Sequence, residues 1–242
     1  MKKTTLSLIL LVFAHVLFAQ EGTTNIGFNI GFAEPTEYYR AGNADTKLTR
    51  DATNGIRLGF IYETGIIKGF GVSMSLNYTF STNVEAWTPT PGMVALQTKE
   101  DHFVHTLELP VDWQYKFLIA KNTYLALYTG PTLQIGLSNI YHNRTKLNND
   151  ILADNRYSRY ALNIKGDEDA DNIRDYNRVN VTWGIGLGFQ YKQYFLRGGY
   201  DFGIMPLYHD RFYNISTDDG WNRNGRLDQW QIKLGIYLWQ LD

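Results

Sequence analysis

The sequence contains no cysteine, which excludes a disulfide framework and a thiolate metal site. Proline is scarce, with 6 residues in 242, and beyond the N terminus no apolar run approaches the roughly 18 residues of a membrane-spanning helix. An excess of charge of one sign is also lacking, because 23 basic residues almost balance 24 acidic ones. This balance argues against nucleic acid as a partner.

The chain is instead rich in glycine and in aromatic residues, and it arranges them in alternation. The segment 179–191, VNVTWGIGLGFQY, alternates apolar residues with small or polar ones without a break. Successive side chains of an extended strand point to opposite faces, so one face of this strand is apolar and the other is small or polar. A tilted strand needs about 9–11 residues to cross a bilayer, and this segment is long enough.

Seven further segments show the same period of two. The sequence therefore predicts eight strands, at 25–32, 55–63, 70–81, 105–117, 124–138, 179–191, 194–204 and 229–239. Their connections are alternately long and short, as in outer-membrane barrels with long outer loops and short periplasmic turns. A soluble eight-stranded barrel could not fill its core with the glycine, amide and charged residues that share one face here. We therefore predict an all-β fold, an eight-stranded antiparallel up-and-down transmembrane β-barrel, in the outer membrane of a Gram-negative bacterium.

The first residues predict export. Lys2 and Lys3 precede an apolar run from Leu6 to Phe18, and the small Ala19 comes directly before Gln20. This arrangement is typical of a cleaved secretory signal, and the run is shorter than the roughly 20 apolar residues of a membrane anchor. We expect residues 1–19 to be removed and residues 20–242 to form one barrel domain in contact with outer-membrane lipid.

Seven charged side chains fall on the predicted inward face, four positive and three negative. They are Arg57, Glu108, Asp112, Lys116, Arg197, Asp201 and Lys233. Because side chains can fill the interior of an eight-stranded barrel, we expect an ion-paired network that plugs the lumen. Within it, Arg197 and Lys233 are expected to compete for Glu108 and Asp112. The alternative interpretation of the same residues is a selectivity lining or a proton path.

The predicted outer loops carry aromatic residues that could bind a protein or glycan partner. The candidates are Trp87, Tyr141, Tyr157, Tyr160, Phe212, Tyr213 and Trp221. Aromatic residues are enriched in protein interfaces, although these could equally pack the loops on one another.

Two patterns suggest chemistry without specifying it. Asp167, Asp169 and Asp171 have the spacing of a calcium loop, but Asn172 and Arg178 replace its glycine and its bidentate glutamate, so a solvated acidic stretch is favoured. No metal or cofactor is therefore expected. A lipid-modifying enzyme would need a nucleophile or base at the outer rim, such as Ser138, His102 or His209, and no spacing selects them.

Three segments carry a resemblance to a known family. They are LELPVDWQYKF at 107–117, YLALYTGPTLQIGL at 124–137, and GIGLGFQY at 184–191 followed by YFLRGGYDFGI. Over the expected mature length, the chain resembles the outer-membrane β-barrel domain family of Bacteroidetes-type bacteria, also called PorT-like or "porin family". The resemblance implies the barrel fold and a role in transport or secretion, and it assigns no function to any residue.

These observations leave three functions open. The first is a non-enzymatic outer-membrane protein with a plugged lumen and a structural or partner-binding role through its surface loops, including an accessory role in secretion or envelope integrity. The second is a small solute channel of the porin kind. The third is a lipid-modifying enzyme at the outer rim. Pairing of the inward charges favours the first over the second, and a nucleophile–base contact would favour the third.

Overall fold

The computed structural model describes residues 23–40, 48–67, 69–148, 150–160, 176–207 and 222–241. The expected leader at 1–19 lies outside these ranges. Within them, no helix is long and apolar enough to cross a membrane.

The described residues form strands throughout. They are β1 (Thr24–Arg40), β2 (Leu48–Ala52), β3 (Asn54–Ile67), β4 (Phe70–Val84), β5 (Thr88–Thr90), β6 (Met93–Ala120), β7 (Thr123–Leu147), β8 (Asp150–Ser158), β9 (Val179–Tyr191), β10 (Tyr194–Gly203) and β11 (Asn222–Leu241). Eight of them, all except β2, β5 and β8, pair with their neighbours in chain order, always antiparallel. Because β11 also pairs with β1, these eight strands form a closed ring. The predicted eight-stranded antiparallel fold is confirmed.

The two faces of the ring differ as the alternation predicts. Leu187 and Leu234 on the outer face are 57% and 56% exposed, whereas Asn77 and Thr182 on the inner face are fully buried. Large apolar side chains are exposed on the outer face of all eight strands, which is the arrangement that lipid requires. The outward apolar face and the inward polar face are therefore assigned correctly by the sequence pattern.

The two ends of the ring are also different. At one end, here called the turn end, three short turns lie where predicted, between β3 and β4, β6 and β7, and β9 and β10. Each turn contains a residue with positive φ: Gly69 at 89°, Asn122 at 58° and Lys192 at 51°. The opposite, loop end carries the long connections. By the rule for outer-membrane barrels, the turn end faces the periplasm and the loop end faces the cell exterior.

The predicted loop boundaries at the loop end were wrong. β6 and β7 have 28 and 25 residues, and they continue as paired strands through much of the predicted loops at 82–101 and 139–178. With β5 and β8 they form a four-stranded projecting sheet, made of residues 88–90, 93–104, 138–147 and 150–158. Beyond the membrane the outward face of a strand meets water instead of lipid, so the period-two signal disappears although the hydrogen-bonded pairing continues.

Inward glycines make room for large side chains in the lumen. A Cβ atom on Gly186 would lie 2.2 Å from Cζ of Tyr128 and 2.6 Å from the carbonyl oxygen of Gly198. Gly235 is covered in the same way by the ring of Phe195. Phe195, Ile61 and Tyr237 form a small buried apolar cluster. The lumen is thus packed by its own side chains near these glycines.

This packing predicts that Gly186→Ala destabilises the barrel whereas Gly198→Ala does not. The methyl group at 186 would overlap Tyr128 and a backbone oxygen, and overpacking of this kind costs roughly 1–3 kcal/mol. At Gly198 the nearest atom is 3.8 Å from the added Cβ, so the change should stay within about 0.5 kcal/mol. Urea unfolding of both variants in lipid vesicles measures the difference. Equal losses of stability would contradict this account of the lumen.

Candidate functional site

The lumen is the first candidate site, because all seven predicted charged residues point into it. Six of them are buried, and the side chain of Lys116, near the turn end, is 16% exposed. They fall into two clusters at different heights, which are described in turn below. A third cluster at the loop end lies above them.

The mid-lumen cluster is centred on Arg57 and Glu108. Their side chains form a fully buried ion pair. Thr79 accepts a hydrogen bond from Nε of Arg57 at 3.2 Å and donates one to Glu108 at 2.8 Å. Arg57 also donates to the amide oxygen of Gln231, whose nitrogen donates to Asp201 at 2.7 Å. This chain of bonds joins side chains from β3, β4, β6, β10 and β11 across the lumen.

Two further charges belong to the same layer. Lys233 on β11 is buried and interacts electrostatically with Asp112 and Asp201. The mid-lumen cluster therefore contains two cations and three carboxylates in a small buried volume. Charges so placed are costly to leave uncompensated, which explains why they occur together.

The turn-end cluster is centred on Glu63. Its carboxylate pairs with Arg197 at 2.5 Å and with the ammonium group of Lys116. The same carboxylate accepts hydrogen bonds from the Tyr237 hydroxyl at 2.6 Å and from the Asn25 amide at 3.2 Å. One carboxylate thus holds four donors from four other strands.

The prediction that Arg197 competes with Lys233 for Glu108 was wrong. Arg197 pairs with Glu63, and Glu108 pairs with Arg57. Glu63 is the last residue of the predicted strand 55–63, and alternation puts it on the inward face, although it is not one of the seven predicted lumen charges. Counting by twos from Arg57 to the end of that strand would have identified it.

Two cavities lie on either side of the mid-lumen cluster. The larger, about 560 Å³, is at the turn end, and its lining reaches Glu63 and Lys116. The smaller, about 30 Å³, lies toward the loop end and is lined in part by Gln134, Asn180 and Gln229, with room for one or two water molecules. Neither lining includes Arg57, Glu108 or any other residue of the mid-lumen cluster.

The loop-end cluster closes the lumen above the smaller cavity. Glu37 on β1 accepts hydrogen bonds from Arg159 and from the Tyr176 hydroxyl, both at 2.7 Å. The Arg159 guanidinium also lies over the rings of Tyr141 and Tyr176, at 4.7 and 5.2 Å. Arg159 therefore connects the β1 wall with the segment that follows β8.

A histidine supports this cluster from β6. The His102 ring stacks on Tyr141 at 3.9 Å and donates from Nε2 to the Asn139 amide oxygen at 2.8 Å. Burial lowers the pKa of His102, although the carboxylates of Glu37 and Asp51 act in the opposite direction. We therefore take the 3.8 Å contact between His102 and Asp51 as one between a neutral ring and a carboxylate.

Burial also keeps the tyrosine hydroxyls of this cluster protonated. It raises the pKa of Tyr160 to about 12 and also raises the pKa of Tyr141 and of Tyr176, and the Glu37 charge adds to each of these shifts. Tyr141 donates its hydroxyl proton to Asp51 at 3.0 Å. The cluster therefore consists of hydrogen-bond donors held in fixed positions around two carboxylates.

The structure places the predicted loop aromatics in different surroundings. Tyr141 belongs to β7, and both Tyr141 and Tyr160 are buried, so they pack the loop end and are not surface contacts. Trp87 stays at the surface, with Lys146 4.3 Å and Arg144 5.8 Å from its ring. Phe212, Tyr213 and Trp221 lie outside the described residues. The backbone of Tyr157 is described but its side chain is not.

The weaker chemical candidates gain no support. Asp167, Asp169 and Asp171 lie outside the described residues, as does His209. In the ranges that the structure describes, no three potential metal ligands come together. Ser138 pairs in register with the outward His105, whereas His102 faces the loop-end cluster, so Ser138 and His102 lie on opposite faces of the wall.

Comparison with known proteins gives a family match. A family model for an outer membrane protein beta-barrel domain matches residues 18–209. No curated protein matches the chain. Among solved structures, the chain is similar to Ail of Yersinia pestis bound to the heparin analogue sucrose octasulfate, with 14% identity, a TM-score of 0.40 and coverage of 90% of this chain and 99% of that one.

Two other similar structures are Neisserial surface protein A and the N-terminal β-barrel domain of Pseudomonas aeruginosa OprF. Each has 11% identity with this chain. Their TM-scores are 0.39 and 0.32, and they cover 90% and 89% of this chain and the whole of the other.

The buried pair of Arg57 and Glu108 predicts a non-additive loss of stability. Glu108→Gln leaves Arg57 charged and without its partner, which should cost roughly 3–5 kcal/mol of unfolding free energy. Adding Arg57→Gln should restore part of that loss. Arg50→Gln, which breaks an exposed pair with Glu34, is the control and should cost at most about 1 kcal/mol. Urea unfolding of the wild type and the three variants gives the values. A Glu108→Gln variant no less stable than the control would disprove the pairing.

Proposed function

Because the chain belongs to the outer membrane protein β-barrel domain family, and is thus an outer-membrane protein of a Gram-negative bacterium, we propose that it is a non-enzymatic, non-conducting barrel that binds a protein partner through its loop end. An accessory role in secretion or envelope integrity, as in the PorT-like proteins that the sequence resembles, belongs to the same proposal. The proposal also includes the removal of residues 1–19 on export.

The observation that carries partner binding is the tip of the projecting sheet. Leu147, Ile151 and Leu152 are 41%, 60% and 59% exposed there. Ten residues separate Leu147 from Leu137 in the apolar band, which at 3.3 Å per residue and the usual strand tilt places the tip about 25 Å above that band. Lipid tails cannot cover side chains at that height. Exposed apolar side chains grouped in water are typical of protein interaction sites.

The paired lumen supports a non-conducting barrel. Arg57, Glu108 and Gln231 link three strands of the ring, β3, β6 and β11, between the two cavities, and each is buried. For ions to pass, the buried ion pair would have to separate without water to replace it, and breaking such a pair is strongly unfavourable. The barrel therefore serves best as a rigid support for the loop end.

A small solute channel is the second candidate. The cavity of about 560 Å³ at the turn end favours it, because its amide and charged lining would suit a polar solute. That cavity enters the lumen from one side only, and the mid-lumen cluster lies beyond it. The rim enzyme has no comparable support, since the described Ser138 and His102 do not face one another.

Site-specific photo-crosslinking in intact cells tests partner binding. A photoreactive amino acid at Ile151 should link the protein to a partner and give a band of higher mass, because this side chain lies exposed at the tip. The matched control is the same amino acid at Leu187, an equally exposed apolar position that faces lipid. Bands at both positions, or at neither, would contradict a binding role for the tip.

A further inference from the structure

The turn-end cavity opens at the end of the barrel that faces the periplasm. The three turn residues with positive φ, Gly69, Asn122 and Lys192, all contribute to its lining, so the turns form its mouth. At its inner end the lining reaches Glu63 and Lys116 of the turn-end cluster. Its volume of about 560 Å³ is within the range of small-molecule sites, and the buried mid-lumen cluster lies beyond it. The cavity is therefore a pocket with one entrance.

Two inward glycines keep the wall of this pocket free of large side chains. Gly65 on β3 pairs in register with Gly71 on β4, and both line the pocket. The rings of Tyr128 and Phe195 cover Gly186 and Gly235 higher in the lumen, whereas the three atoms nearest to a Cβ added at Gly71 all belong to the backbone. No aromatic ring covers Gly71 in the same way, so the wall leaves room for a ligand.

Positive charge predominates in the pocket. Among the described residues, its lining contains two lysines, Lys116 and Lys192, and one carboxylate, that of Glu63. Glu63 pairs with Arg197 as well as with Lys116, so one carboxylate serves two cations. Lys121, exposed at the neighbouring turn, adds another cation at the same end. Because a cleft with an excess of one charge concentrates ions of the opposite sign, the pocket favours an anion.

Lys116 is held in a position from which it can bind that anion. Its ammonium group donates to Glu63 and, at 2.6 Å, to the amide oxygen of Gln190. The amide nitrogen of Gln190 donates in turn to the carbonyl oxygen of Lys192 at 2.9 Å, so two partners fix this amide. An ammonium group has three N–H donors, and within the described part of the chain the third has no hydrogen-bond acceptor. The side chain is 16% exposed and lines the pocket, so this donor is available to a ligand.

The rest of the polar lining suits hydroxyl groups. Six amide side chains line the pocket, those of Asn25, Gln114, Asn122, Gln190, Gln193 and Gln240. An amide both donates and accepts hydrogen bonds, as a hydroxyl group does, so the two match in either direction. The Asn25 nitrogen donates to Glu63, which fixes this amide because a carboxylate only accepts. The Asn25 oxygen is buried and has no partner among the residues that the structure describes, so it needs a donor such as a hydroxyl group.

These features together select a solute that is both anionic and rich in hydroxyl groups. An anion without hydroxyl groups would leave the amide lining unused, and a neutral polyol would leave the excess of cations uncompensated. We propose that the turn-end cavity binds a sugar acid from the periplasm, with its carboxylate on Lys116 and its hydroxyl groups on the amide side chains. Because the mid-lumen cluster lies beyond the pocket, the solute enters and leaves on the same side. The site is separate from the loop end and does not depend on partner binding there.

Isothermal titration calorimetry on the full chain in neutral detergent tests the proposal with three probes, glucuronate, glucose and acetate. Glucose has a hydroxymethyl group in place of the carboxylate, and acetate has the carboxylate without the hydroxyl groups. We expect saturable binding of glucuronate, and binding of glucose and acetate that is weaker by roughly tenfold or more, because each lacks one set of hydrogen bonds. Equal binding of glucuronate and glucose would overturn the proposal. So would a lack of saturable binding, since the pocket would then hold water alone.

Variants of the lysines test the position of the carboxylate. Lys116→Gln should weaken glucuronate binding roughly tenfold or more, because it removes a charge-assisted hydrogen bond. Lys192→Gln, at the mouth, leaves the pair of Lys116 and Glu63 intact and should weaken binding by a smaller factor. Lys121→Gln is the matched control, since this exposed lysine does not line the pocket, and it should bind as the wild type does. Equal affinities for the three variants would overturn the proposal, and Lys192→Gln decides the matter if Lys116→Gln does not fold.

Liposome swelling distinguishes a pocket from a channel. Glucuronate should not enter liposomes that contain the protein, because the buried mid-lumen cluster lies between the pocket and the loop end. Entry of glucuronate would make the cavity part of a conducting path, and both the pocket and the non-conducting barrel would then be wrong. Failure of the titration without such entry would overturn the pocket alone.

Discussion

The pairing of β1 with β11 closes the sheet into a ring, and the polar packing of the lumen follows from that closure. Inside a bilayer no water is present to satisfy backbone N–H and C=O groups, so an open strand edge is excluded and the ring must close. Closure turns the polar faces of all eight strands toward a narrow interior. Arg57 and Arg197 can then be compensated only by other lumen residues, which is why Glu108 and Glu63 lie against them. The ion pairs are thus a consequence of closure.

The closed ring also explains how the loop end can present an exposed tip. β6 and β7 leave the membrane already paired, so the projecting sheet inherits their orientation. Its tip, which includes Leu147, Ile151 and the neighbouring Lys146, faces water and suits a protein partner. The ion pair between Arg159 and Glu37 connects the base of this sheet to β1 in the opposite wall of the barrel. The barrel interior thereby supports binding at the tip without taking part in it.

The sequence predicts the strands and their faces because both depend on a local period of two. That pattern identified all eight ring strands and the inward position of Lys233, Asp201 and the other lumen charges. It could not predict which charges pair, since Arg197 and Glu63 are 134 residues apart and meet only through the register of the closed ring. It also missed the projecting sheet, where β7 continues to Leu147 without lipid on either side to impose alternation.

Single-channel recording in planar bilayers tests the central claim, that paired charges seal the lumen, most directly. We expect no stable open conductance for the wild-type protein, because the Arg57–Glu108 pair lies between the two cavities. Steady ion-selective currents would contradict it, above all if Glu108→Gln or Arg197→Gln changed the preference between anions and cations. In that case the inward charges would line a conducting pore.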